Sequence, residues 1–223
     1  MVAIVDYCAG NLRNITRVLD HLGIKNFITD NPQELKKAKA VIVPGVGSAG
    51  SAMKSLQASG MDEALREFVK SGKLYLGICL GLQLLFEYSE EDNIECLGIL
   101  KGRVKKLQNA PRIPEIGWNN VQFKFDRPTD LKDSKKPLRS ASNAQKLFAG
   151  IPNNTDFYHL HSYVTSPIDS NIVIAESEYG EIFPAAVAQE NILGVQFHPE
   201  KSGNWGIKLM ENFGKIVNTV NNL

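Results

Sequence analysis

The chain has almost no net charge, few cysteines and no long apolar run. Twenty-five basic against 24 acidic side chains in 223 residues leave a formal net charge of +1. That balance excludes the strong positive field of a protein that binds nucleic acid or anionic membrane through bulk electrostatics. The three cysteines, Cys8, Cys79 and Cys96, are an odd number at no metal-ligand or disulfide-framework spacing, which implies a reducing compartment, the cytoplasm. No apolar stretch approaches membrane-spanning length, and the run Met1 to Val5 is too short for a signal peptide. Internal repeats are absent. With 43% hydrophobic and 22% charged residues, the composition is that of an ordinary globular chain and not of a disordered one.

What is present is an alternation. Val2 to Val5 is a continuous apolar run followed by a turn. Leu12, Ile15, Val18, Leu19 and Leu22 then recur at helical spacing, with Asn11 placed to cap the helix and Gly23 to end it. The pattern returns as a strand over 26–29, a short helix over 32–39, a strand over 40–44, two helical stretches, and a buried strand over 74–78. This spacing predicts a mostly parallel sheet flanked by helices, an α/β fold. Beyond residue 95 strands dominate, at 97–107, 118–125, 157–165, 172–178, 185–189 and 193–197, so additional antiparallel strands are expected in the second half. Lys124 to Lys146 is mostly charged and polar and reads as a surface insertion carrying no core. Trp205, Leu209, Phe213, Val217 and Val220 outline a final amphipathic helix. One domain is expected over 1–223.

The chemistry concentrates in two places. Gly77-Ile78-Cys79-Leu80-Gly81 sits where a buried strand turns into a helix, the setting of a nucleophile elbow. The flanking glycines let strand and helix approach closely, and a sulfur at a helix N-terminus is favoured as thiolate. Far along the chain, Phe197-His198-Pro199-Glu200 ends another strand. Pro199 is expected to keep the segment extended and out of helix, so that Glu200 can hold the His198 imidazole while His198 takes a proton from Cys79.

Two other signals compete. Gly45-Val46-Gly47-Ser48-Ala49-Gly50 satisfies G-x-G-x-x-G after a strand, but the next strand ends in Gly77-Ile78-Cys79 with no acidic residue for a ribose, so no dinucleotide cofactor is expected. His159 and His161 can share one face of a strand, but no cysteine or carboxylate in that stretch makes a third ligand, so no metal is expected.

A glycine-flanked cysteine elbow with a late His-Pro-Glu resembles the class I, or triad, glutamine amidotransferases. Further blocks extend the likeness over nearly the whole chain, in order: Asp6 to Leu12, Pro44-Gly45-Val46-Gly47, GICLGLQLLFE from Gly77, Pro114 to Asn119, His161-Ser162-Tyr163 and GVQFHPEKSG from Gly194. Together they look like the glutaminase subunits of imidazole glycerol phosphate synthase. The resemblance implies Cys79 as nucleophile, His198 as general acid and base, and Glu200 as its orienting partner. It also implies an oxyanion hole from Leu80 and the Val46 or Gly47 amide, and a glutamine site from Gln83, Glu91, His161, Ser162 and Tyr163. The fold it implies is the flavodoxin-like α/β fold of the class I glutamine amidotransferases, and no cofactor is implied. The implied partner is a separate (β/α)8-barrel cyclase subunit, faced by Asn11, Trp118 and Lys201, which uses the ammonia in histidine biosynthesis. A subunit serving a sugar amidotransferase and a non-catalytic regulator with the same fold are the alternatives. Cys8 and His159 depart from the residues usual in that family, a glycine and an aromatic.

Overall fold

The computed structural model describes residues 1–8, 10–125 and 142–220. The first half alternates as its periodicity predicts: β1 (Val2–Val5), α1 (Leu12–His21), β2 (Asn26–Thr29), β3 (Ala40–Val43), α2 (Ala49–Ser59), α3 (Met61–Lys70), β4 (Leu74–Ile78) and α4 (Leu80–Gln83). Short strands β5 (Tyr88–Ser89) and β6 (Ile94–Glu95) lead to β7 (Gly102–Lys106) and β8 (Glu115–Phe123). After α5 (Asn143–Leu147) come β9 (Thr155–His161), β10 (Tyr163–Pro167), β11 (Val173–Glu178), β12 (Ile182–Gln189), β13 (Ile192–Val195) and α6 (Gly203–Val220).

Nine strands form one sheet in the order β2-β1-β3-β4-β13-β12-β11-β8-β9, and β10-β7-β5-β6 form a second sheet. From β2 to β13 every pairing is parallel, and from β13 to β9 every pairing is antiparallel. The parallel strands are buried on both faces, as their unbroken apolar runs require. In β1, Val2 and Ile4 join a cluster with α1, α5 and α6, while Ala3 and Val5 join another with α2 and α3. Because β4 and β13 are parallel neighbours, with Ile78 beside Val195, the segments that follow them emerge at the same sheet edge.

Several expectations change. The strand expected over 157–165 is two strands, because the chain leaves one sheet for the other at Ser162, whose carbonyl accepts Leu107 N–H at 3.0 Å. The expected capping by Asn11 is not made: its backbone is left-handed (φ 82°) and its side chain caps nothing in α1. Gly23 does end that helix, at φ 66°. The turn over 32–37 is 3-10 rather than α. Trp205 is 40% exposed and stays out of the core cluster, and it is Gly206 whose backbone closes on the Pro199 turn. Of the expected insertion, residues 126–141 lie outside the described residues. Its ends do carry core, since Ala144 is buried and Phe125 packs against the same cluster. The capping box of Ser142 and Gln145 starts the short α5 that puts Ala144 there.

Candidate active site

Cys79 occupies the turn between β4 and α4 with φ 52° and ψ −107°, a conformation that costs a non-glycine residue about 1–3 kcal/mol and persists only where its surroundings impose it. The neighbours that impose it are visible. A Cβ on Gly77 would lie 2.5 Å from the Gly81 carbonyl oxygen, and one on Gly81 would lie 1.8 Å from that of Val43. Only glycines allow strand, helix and adjoining strand to close so tightly. Cys79 N–H is tied to the Val195 carbonyl at 2.8 Å, and its own carbonyl accepts the amides of Leu82 and Gln83.

His198 is fixed from β9. Its amide donates to the Tyr158 carbonyl at 2.8 Å, and Ser202 Oγ donates to the His198 carbonyl at 2.6 Å while accepting Tyr158 N–H at 2.9 Å. Nδ1 lies 2.8 Å from Glu200 Oε1, both side chains being 1% exposed. The extended geometry expected of His198 to Glu200 is not found: Pro199 opens a 3-10 turn over Pro199–Lys201, as its fixed φ and missing N–H suit a first helical position. The turn, rather than strand alternation, brings the carboxylate under the ring. Burial alone would lower the imidazole pKa. The charge of nearby Cys79, followed by Glu200, outweighs burial and lifts it to about 10, although Nε2 makes no hydrogen bond among the described residues. The sulfur also lies 3.6 Å from the Leu160 carbonyl and 3.6 Å from Gln196 Nε2.

The expected oxyanion donors come from two elements next to the elbow. Leu80 N–H begins α4, among the amides a helix leaves without an internal partner. Pro44 to Gly47 follows β3, and the Tyr7 hydroxyl holds its first carbonyl by donating to Pro44 O. A Cβ on Gly45 would meet Tyr7 Oη at 2.1 Å and Leu80 Cβ at 2.8 Å, so this peptide packs directly onto the elbow. Gly47 has φ 115° and is exposed. Burial, with the Cys79 charge adding, pushes the Tyr7 hydroxyl far above its ordinary pKa and keeps it a donor.

Of the residues expected at a glutamine site, Gln83 is buried and donates through Nε2 to the Tyr163 carbonyl at 2.8 Å and to Gln196 Oε1 at 3.2 Å. Glu91 lies near Tyr163, whose hydroxyl pKa is raised by desolvation and then by Glu91 and its neighbours. Glu91 Oε2 accepts Ala49 N–H at 2.8 Å and Asp92 Oδ2 accepts Gly50 N–H at 2.9 Å. Two carboxylates therefore fill the N-terminus of α2, where a pyrophosphate would need to sit, in accord with setting the dinucleotide motif aside. Ser162 and Tyr163 are half-buried, while His161 is buried and turns to Glu115.

The three residues expected at a partner surface separate. Trp118 is 58% exposed and meets Tyr158 edge-on, and Lys201 Nζ lies over the same Tyr158 ring at 5.5 Å. Asn11 lies with the catalytic groups: its Nδ2 donates to Glu200 Oε1. Sequence reasoning missed Gln196, which directly follows β13 and donates to the sulfur, and it missed Tyr7. It also missed Glu115, which pairs across β8 and β9 with His161. Glu115, His159 and His161 are all buried, with a ligand-capable atom of each within 4.8 Å of the others. The carboxylate absent from the histidines' own stretch is supplied by the neighbouring strand. Burial, with His161 and His198 adding, holds His159 neutral by depressing its pKa well below the usual range.

With this geometry in place, similarity adds identity. A family model described as glutamine amidotransferase class-I matches residues 3–216. The imidazole glycerol phosphate synthase subunit HisH of Dehalococcoides mccartyi is 42% identical over 218 residues, covering 97% of this chain and 98% of that one. The same-named protein of Methanocaldococcus jannaschii is 41% identical, covering 97% and 100%. Among solved structures, a glutamine amidotransferase crystal structure superposes with TM-score 0.69 at 22% identity, covering 98% of this chain and 100% of that one. The glutaminase domain of Trypanosoma brucei CTPS superposes with TM-score 0.62 at 15% identity, covering 96% and 93%.

Proposed function

We propose, from the premise that the chain belongs to the class-I glutamine amidotransferases and within them to the HisH subunits of imidazole glycerol phosphate synthase, that Cys79, His198 and Glu200 are its catalytic relay. The enzyme is a glutaminase that releases ammonia for imidazole glycerol phosphate formation in histidine biosynthesis. One observation carries the assignment of residues: a cysteine on a strained elbow is electrostatically coupled to an imidazole that a buried carboxylate holds through Nδ1.

The Cys79 thiolate attacks the side-chain carboxamide carbon of glutamine, forming a C–S bond and an oxyanion. Leu80 N–H and the Val46 or Gly47 amide receive that charge, and loss of one such donor costs about 3–4 kcal/mol of transition-state stabilisation. The His198 imidazolium gives its proton to the departing nitrogen, and ammonia leaves a γ-glutamyl thioester. His198 then takes a proton from water, whose oxygen attacks the thioester, and glutamate departs as the thiolate is restored. Gln83, Glu91, His161, Ser162 and Tyr163 border the glutamine site in this reading. Neither a metal nor an organic cofactor takes part in these steps.

The HisH relatives are named as subunits of a synthase, and this chain works as one part of such a complex. Ammonia set free in bulk water is protonated and loses its nucleophilicity, so it must reach its acceptor through protein. The partner in this reading is a (β/α)8-barrel cyclase subunit. Trp118 and Lys201 form its docking surface with Tyr158 between them, and Asn11 links that surface to Glu200. Residues 1–223 act as a single domain. Among the described residues no helix is long and apolar enough to cross a membrane, and the unpaired cysteines suit the reducing cytoplasm.

The test is reconstitution with the cyclase. Cys79→Ala should abolish glutamine-dependent synthesis and leave synthesis from added ammonia intact, because the acceptor chemistry lies in the other subunit. Loss of both activities, or of neither, would overturn the assignment. The isolated chain should be a weak glutaminase that the liganded partner accelerates by turning the Gly45 to Gly47 peptides toward the oxyanion. Equal rates alone and in complex would exclude that step.

A further inference from the structure

We infer that Glu115, His159 and His161 form a binding site for a divalent first-row transition metal, zinc foremost, between β8 and β9. The inference starts from three lone-pair donors that converge in a dry place. His159 Nδ1 lies 3.1 Å from His161 Nε2, and His161 Nε2 lies 3.2 Å from Glu115 Oε2. The His161 and Glu115 side chains are 2% and 3% exposed, and His159 is fully buried.

Protons alone do not satisfy this cluster. His161 Nε2 either carries a hydrogen or accepts one. If it accepts from His159 Nδ1–H, its only lone pair is used and Glu115 Oε2 faces it without a hydrogen between them. If it donates to Glu115, His159 Nδ1 is left to share a bond already made. Glu115 Oε2 in fact has no hydrogen-bonding partner despite the short contact. A buried acceptor left in that state is costly. A cation at the centre satisfies all three donors at once. Atoms about 2.0–2.1 Å from a zinc ion at adjacent tetrahedral corners sit roughly 3.3 Å apart, close to both contacts seen. The imidazole protons then move to His159 Nε2 and His161 Nδ1, which have no other partner.

The surroundings suit a ligand set. Asn119 Nδ2 donates to Glu115 Oε1 at 2.7 Å, tying one carboxylate oxygen and leaving the other to face the histidines, as outer-shell partners of metal ligands do. Phe183 and Phe197 pack edge-on against His159 and limit its ring orientation. Two imidazoles and one carboxylate select zinc or iron(II) over magnesium or calcium. The metal joins the two strands next to the Leu160 carbonyl that touches Cys79. Its presence does not depend on the glutaminase reading.

Metal-free full-length protein titrated with cobalt(II) tests the inference. One equivalent should bind and give visible d–d bands of nitrogen and oxygen ligation, without a thiolate charge-transfer band, and zinc should displace it. His159→Phe keeps an aromatic ring among aromatic neighbours and removes the ligand. It and Glu115→Gln should each weaken binding by more than the about 10- to 100-fold that loss of an outer-shell partner costs. Binding should survive in Cys79→Ala, which removes the competing thiol. Absence of binding, a thiolate band, retention of affinity in both ligand variants, or loss of binding in Cys79→Ala would each overturn it. If Glu115→Gln fails to fold, His159→Phe with its circular dichroism spectrum decides alone.

Discussion

Two histidine–carboxylate pairs lie buried in this molecule, and they differ in the third group each one faces. His198 and Glu200 follow β13 at 2.8 Å, and His161 and Glu115 join β9 to β8 at 3.2 Å. Each carboxylate accepts an asparagine carboxamide, Asn11 in the first pair and Asn119 in the second. His198 faces a thiol on a strained turn, whose charge favours the imidazolium. His161 faces a second imidazole, which burial keeps neutral. In the roles proposed, the same pair serves as a proton relay in one place and as a set of lone-pair donors in the other. What a histidine–carboxylate contact does is decided by the atom on the far side of the ring.

The largest expected effects break the first pair's relay. Cys79→Ala should lower glutamine turnover on the order of 10⁶-fold, the scale on which loss of a nucleophile is felt in a concerted relay. Glu200→Gln keeps the shape but lets the imidazole take the wrong tautomer, and should cost on the order of 10³- to 10⁴-fold in kcat. Steady-state glutaminase assays on the complex measure both. Glu115→Gln makes the same chemical change in the other pair and should cost no more than about tenfold, since that carboxylate does not orient the base. Equal losses at the two positions would erase the distinction.

Titration sharpens the comparison next. His198 is faced by Cys79 and Glu200, with His159 nearby. Its folded pKa of about 10 stands above the unfolded value of about 6.5. The stability its protonation contributes is therefore complete below the unfolded value and is lost as pH rises through about 10. Imidazole NMR should show His198 still charged at pH 8 while His159 is neutral. In Cys79→Ala, with the thiolate gone, His198 should release its proton at lower pH. A His198 signal that titrates near its unfolded value in both proteins would refute the coupling of His198 to Cys79.

The parallel half was legible because each of its elements carries its own period: apolar runs for β1, β3 and β4, and helical spacing in α1 and α3. The elbow was legible for a related reason, since Gly77 and Gly81 mark a close approach that few other features demand. What sequence did not reveal depends on pairing between distant segments. Glu115 reads as a polar residue in a loop-rich stretch until β8 aligns it with His161. The break at Ser162 was hidden because strand-forming residues continue on both sides of it while the hydrogen-bonding partner changes sheet. Pro199 was read as an obstacle to helix, yet at a first helical position it starts the turn that places Glu200. Asn11 was assigned by its position before a helix, and its left-handed backbone instead sends the side chain to Glu200.

That asparagine gives the finest test of the comparison. A hydrogen bond to a charged group is worth about 1.5–3 kcal/mol, but Asn11 touches the orienting carboxylate rather than the reacting atoms, so only part of that reaches the transition state. Asn11→Ala should lower kcat of the complex by roughly tenfold or less with KM for glutamine unchanged, as expected of a positioning residue. Because Asn11 is also one of the residues expected to face the partner, the same ratio must appear in the isolated chain, where no interface exists to be damaged. A defect seen only in the complex would move Asn11 from the relay to the interface. Asn119→Ala, its counterpart, should be read in cobalt affinity. If it instead lowers turnover as Asn11→Ala does, the second pair also serves the thiol, and the two sites are one.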